Sequence, residues 1–156
     1  MDIPLVLRES PFTEPTAIEV PSGVGVATLR YEQVSLQDLP SIFDSGFQRL
    51  AGGGPIGPGY ACYFGDPQGV FDLEIGFPVS GPVTVADAAN GAFPSGAALA
   101  LSHLGGYDGL GAAWGRLMTA YAVSFAGSPR LMVEVYVTDP SRTTPDALRT
   151  DLIAFD

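Results

Sequence analysis

Lysine is absent from this chain: its seven basic residues are all arginine, set against seventeen acids for a formal net charge of −10. Without lysine there can be no Schiff base, no pyridoxal phosphate linkage and no lysine-dependent phosphate loop. The acidic balance excludes sequence-independent binding of DNA or RNA, which needs a basic footprint. It equally opposes an anionic membrane surface. One cysteine excludes an intrachain disulfide and a cysteine metal cluster, and one histidine excludes a histidine-rich metal site. No metal or other cofactor is therefore expected. No apolar run approaches the roughly 18 residues of a membrane span. The opening MDIPLVLRES lacks the basic and then apolar stretches of a signal peptide. The expectation is a cytoplasmic protein with no membrane and no direct nucleic-acid partner.

What is present reads as one globular domain. The chain has 156 residues, of which 46% are apolar and 15% charged. That length suffices for a core without staples, and 20 glycines with 14 prolines promise many turns.

Residues 1–22 carry Pro4, Pro11, Pro15 and Pro21 and read as an extended lead-in, with alternation at Ile18 and Val20. Residues 24–34 are rich in β-formers and read as a strand. Leu36, Leu39, Phe43, Phe47 and Leu50 recur at helical spacing and mark one helix face. Ser35 opens a capping-box-like S-x-x-D, while Pro40 is tolerated only in a first turn, so Ser35 and Asp38 compete as the N-cap. Tyr60–Phe64 and Val70–Val79 form a hairpin around the loop Gly65-Asp66-Pro67-Gln68-Gly69. Residues 80–96 show little periodicity and read as a linker. A strand at 97–103 follows, then a helical face at Tyr107, Leu110, Trp114, Leu117, Met118 and Tyr121. Strands at 131–137 and 148–155 complete the chain, separated by a loop at 138–146.

The order strand, helix, strand, strand thus occurs twice, and the two copies align residue by residue. ACYFGDP (61–67) lies over EVYVTDP (134–140), Phe43 over Trp114, Phe47 over Met118, and Glu74 over Asp151. The expected fold is α+β: two β-α-β-β modules, about 15–79 and 97–156, related by a pseudo-two-fold axis. They share a curved antiparallel sheet with two main helices and a central cleft.

Three stretches carry a resemblance. FDLEIGFPV (71–79), SHLGGYDGL (102–110) and MVEVYVTDP (132–140) resemble, in order and spacing, the motifs D-x-E-x-x-x-P-V, H-x-G-x-Y-x-x-L and E-x-Y-x-x-D-P. These belong to the GyrI-like small-molecule-binding domain, the effector-binding domain also found in AraC- and MerR-type regulators. The resemblance spans roughly residues 15–156 and leaves no room in this sequence for a DNA-binding module. Gly106 stands where the family commonly has proline.

Glu134 is the most informative single residue. Alternation along 131–137 puts Leu131, Val133, Val135 and Val137 on one face and Met132, Glu134 and Tyr136 on the other. A carboxylate between Met and Tyr is not an ordinary solvated position, and burying it is costly unless donors or a bound cation compensate. The resemblance implies that this glutamate lies in the ligand cleft. Tyr63, the repeat mate of Tyr136, belongs to the same face. Phe43 and Trp114 are matched helix positions that suit either a cleft wall or the core. Met118 and Met132 suit an adaptable pocket or core gaps. Tyr107 opens the second helix, where it reaches the cleft or staples the helix entry. His103 has no G-x-S-x-G partner and reads as structural, and Cys62 as an inert buried thiol. Gly23–Gly25 and Gly52–Gly54 lack the features of a phosphate loop.

The leading functional expectation is a binder of small, bulky, aromatic or cationic organic molecules, for drug or effector sensing or for sequestration. The resemblance also implies a second reading, hydrolysis of cyclopropane-containing genotoxic compounds with Glu134 as acid or base, and a third, a gyrase-interacting inhibitor. No particular protein partner is indicated.

Overall fold

In the computed structural model the described residues are 3–65, 69–125, 127–139 and 142–156. The tip of the expected hairpin loop (66–68) and the proline of the second D-P motif (140) lie outside them.

Eight strands form one antiparallel sheet: β1 (Thr16–Val20), β2 (Gly25–Val34), β3 (Tyr60–Phe64), β4 (Phe71–Pro78), β5 (Ala89–Ala92), β6 (Gly96–Leu104), β7 (Leu131–Tyr136) and β8 (Arg149–Phe155). Helix α1 (Leu39–Ala51) separates β2 from β3, and α2 (Leu110–Ser124) separates β6 from β7. The fold is α+β, with a curved sheet and two main helices. Both candidate N-caps of the first helix are used. Ser35 opens a 3-10 turn, Leu36–Asp38, where the Asp38 carboxylate accepts from the Ser35 N–H at 2.9 Å. Asp38 then leads into α1 with Pro40 in its first turn, where the missing N–H costs no hydrogen bond.

The strand order β1-β6-β8-β7-β3-β4-β2-β5 reads the same from either end under exchange of the repeats. Register confirms the exchange: Cys62 faces Glu74 as Val135 faces Asp151, and Thr28 faces Ala89 as Ala100 faces Thr16. One expectation needs correction here. The segment 80–96, read as a linker, contains β5, the mate of β1. Each of these two strands pairs with the other repeat's sheet, β1 on β6 and β5 on β2. The sequence hid β5 because Ala89–Ala92 is an edge strand exposed at every position, and an edge strand with no buried face leaves no alternation to read.

The two sheet faces have different covers. On one, α1 lies over β2 and β4 through Leu39, Ile42, Phe43, Phe47 and Leu50, and α2 over β6 and β8 through Trp114, Leu117, Met118 and Tyr121. On the other, Tyr60, Cys62, Val133, Val135, Ile153 and Phe155 are covered by Leu5 and Phe93. The Arg149 guanidinium fixes the N-terminal segment there. It binds both carboxylate oxygens of Asp151, at 2.9 and 3.0 Å, and the carbonyls of Glu9 and Arg8, at 2.7 and 2.8 Å. Each helix sits over its own module's strands, so the central pair β3 and β7 is the strip of sheet between them.

Candidate functional site

On that strip Ala61 of β3 and Glu134 of β7 are register partners, and they are also repeat mates. The pseudo-axis therefore passes between them. Two glutamates here would face each other a few ångströms apart, the separation of paired residues on adjacent strands, and repel strongly. One acid opposite one small residue is the arrangement that places a single charge at the centre of the fold.

The carboxylate is buried, 6% exposed. Its Oε1 accepts from the hydroxyls of Tyr63 and Tyr136, at 2.9 and 2.7 Å, and its Oε2 from the Trp114 indole Nε1–H at 2.7 Å. Alternation delivers Tyr63 and Tyr136, one from each repeat, and the helical face of α2 delivers Trp114. All three donors are neutral. Among the described residues no arginine pairs with Glu134; the ion pairs join Arg30 to Asp72 and Glu74, Arg49 to Asp87, Arg142 to Asp139 and Arg149 to Asp151. The hydrogen bonds stabilise the carboxylate without cancelling its charge, and Oε2 keeps lone-pair capacity beyond its single donor. Burial and then the Glu134 charge push the hydroxyls of Tyr63 and Tyr136 well above the ordinary phenol value, so both remain donors.

Aromatic rings surround this centre. Tyr136 meets Phe43 at 5.8 Å, Phe47 at 6.0 Å and Tyr107 at 6.0 Å between centroids, each edge to face. Tyr107 stands at the start of a 3-10 turn leading into α2 and is 41% exposed, so it is the outermost ring of the set. Its phenol is raised by burial first and by the Glu134 charge second. The structure thus brings together Glu134, Tyr63, Tyr136 and Trp114 directly, and Phe43 and Tyr107 through Tyr136. Met132 shares the face and packs with the α1 cluster, while Met118 packs in the α2 cluster beside Leu117 and Tyr121. Sequence reasoning left Phe47 out of the site, although its place four residues after Phe43 was a signal. A Cβ on Gly59 would come within 2.9 Å of the Phe47 ring, so glycine there lets that ring approach the backbone just before β3.

Cys62 points to the opposite face, where burial pushes its thiol up to about 12, consistent with an unreactive group. Two concavities of about 700 and 710 Å³ also lie toward that opposite face, lined largely by the N-terminal segment and the approaches to β2. They touch none of the Glu134 set. A charge, three donors and several rings converge at Glu134, whereas those concavities are lined largely by apolar side chains. Among the described residues no cluster of His, Cys, Asp and Glu could hold a metal, and no helix is long and apolar enough to cross a membrane.

No family model and no curated protein matches the sequence. Solved structures do match. The EcmrR C-terminal domain superposes with a TM-score of 0.72 at 14% identity, covering 90% of this chain and 95% of that one. The chain has the GyrI-like fold. SAV2435 bound to tetraphenylphosphonium shares the GyrI-like fold at a TM-score of 0.66 and 11% identity, with coverage of 91% and 93%. A hydrolase from Listeria innocua follows at 0.61 and 15%, with coverage of 94% and 93%.

Proposed function

We propose that this chain binds small, bulky aromatic organic cations between α1 and α2, with Glu134 as the charge that selects them. The observation that carries the reading is a buried carboxylate held by three neutral donors and ringed by aromatic side chains, with no arginine paired to it among the described residues. A negative charge in that setting attracts a cation, and the ring faces add cation–π attraction of about 0.5–2 kcal/mol per contact. Tyr107, the exposed ring, is the side chain a ligand would displace on entering. Binding of tetraphenylphosphonium by SAV2435, a protein of the same fold, supports the ligand class. Such a binder serves to sense or sequester the compounds it captures.

The test uses tetraphenylphosphonium, its isosteric anion tetraphenylborate and the neutral triphenylphosphine oxide. Wild type should bind the cation and reject the anion. Glu134→Gln should weaken cation binding by roughly ten- to a hundredfold, the worth of one charge-assisted contact of about 1.5–3 kcal/mol, and change the neutral compound little. Equal cation affinity in both proteins would overturn the proposal. The spare lone pair on Oε2 favours a second reading, in which Glu134 orients water for hydrolysis of a cyclopropane-bearing substrate. Mass-spectrometric detection of a hydrated product with wild type, and none with Glu134→Gln, would establish that reading instead.

A further inference from the structure

His103 touches none of the Glu134 donors, yet the turn that carries Tyr107 is built around it. It continues the helix-side face of β6 begun by Leu99 and Leu101, so its imidazole lies beneath the turn joining β6 to α2. Its Nε2 lies 2.7 Å from the Gly106 carbonyl. A carbonyl only accepts, so the ring carries its proton on Nε2 and donates it there. The turn is wrapped closely round the ring. A Cβ on Gly109 would stand 2.6 Å from His103 Cε1, although the Gly109 backbone itself, at φ −86°, is open to any residue. Gly105 adopts φ +123°, which glycine alone adopts without strain, and this turns the chain over the imidazole. The residue after the captured carbonyl is Tyr107, whose ring packs on Tyr136, and Tyr136 donates to Glu134.

We infer that His103 is a positioning residue for the ligand site: by holding the Gly106 carbonyl it fixes Tyr107 over Tyr136 and keeps the Glu134 centre covered until a ligand displaces the ring. The inference deepens the proposed binding function and rests on it for the meaning of the cover, but not for the link between His103 and Tyr107. Without the hydrogen bond the turn has one tether fewer, and the ratio of covered to uncovered site should fall roughly three- to tenfold, as expected for one neutral hydrogen bond.

The chain's single tryptophan, Trp114, is half-buried and donates to Glu134, so acrylamide quenching of its fluorescence reads any added exposure of this centre with no ligand present. His103→Asn should raise quenching toward the level of Tyr107→Ala, because the Asn amide sits near the Nδ1 position and cannot reach the carbonyl. His103→Gln, whose amide nitrogen falls near the Nε2 position, should restore wild-type quenching. The double variant His103→Asn/Tyr107→Ala should quench no more than Tyr107→Ala alone, a non-additivity that a merely structural histidine would not produce. If His103→Asn does not fold, Gly109→Ala, which keeps the histidine but pushes its imidazole off the Gly106 carbonyl, should give the same increase. Wild-type quenching in a folded His103→Asn or Gly109→Ala, or full additivity with Tyr107→Ala, would overturn the inference. A parallel arm measures tetraphenylphosphonium dissociation, expected to be faster from His103→Asn than from wild type. Failure of wild type to bind the cation would sink the ligand reading while the quenching arm still decides the role of His103.

Discussion

Replacing Trp114 by phenylalanine keeps most of the ring area but removes the indole N–H that Oε2 of Glu134 accepts at 2.7 Å. That carboxylate is 6% exposed and has two other donors, both on Oε1, so water cannot readily take the vacated place. A hydrogen bond to a charged group is worth about 1.5–3 kcal/mol. For a domain of this size each kcal/mol moves the midpoint by about 2–4 °C, so Tm should fall by roughly 3–12 °C. Lost packing would also lower Tm, and a double-mutant cycle separates the two. In a Glu134→Met background, of similar length but without an acceptor, the same Trp114→Phe change should cost about 1.5–3 kcal/mol less than in wild type. Urea unfolding followed by circular dichroism is the assay, since the only tryptophan is removed. An equal cost in both backgrounds would show that the indole serves α2 packing and that the three-donor account of the carboxylate is wrong.

Two further outcomes follow from the structure. Arg149→Met leaves the buried Asp151 carboxylate with the Ser102 hydroxyl but no cation and frees the carbonyls of Arg8 and Glu9, so it should cost about 3–5 kcal/mol. Hydrogen exchange should show residues 8–12 losing protection, and unchanged exchange there would refute the clamp. Burial lifts the hydroxyls of Tyr60, Tyr63 and Tyr136 above the unfolded value of 10.0. The folded state then holds protons that the unfolded state releases. Stability should be fully present below about pH 10 and fall as the pH rises above it. Urea midpoints measured across that range, with tyrosinate absorbance appearing together with unfolding for this group, check the sign; a midpoint independent of pH above 10 would contradict it.

The sequence by itself determined most of what is periodic. Alternation in 131–137 placed Glu134 with Met132 and Tyr136 and opposite the valines, because a strand's side-chain period is fixed by backbone geometry alone. Helical spacing marked the α1 and α2 faces, and the repeat mated Phe43 with Trp114 and Tyr63 with Tyr136. A capping serine and a first-turn proline set where the first helix begins. Strand β5 was illegible because a fully exposed edge strand has no buried face to impose a pattern. The donor set around Glu134 was also beyond the sequence. Which of several nearby phenols and indoles reaches a carboxylate depends on the distance from α2 to β7 and on rotamers fixed by packing, and neither is local in the chain. The tertiary structure alone decided that the pseudo-axis runs between Ala61 and Glu134, since strand register is a property of the pair. That placement explains why one module supplies the charge and the other makes room for it: mates that meet on an axis cannot both carry the same buried sign.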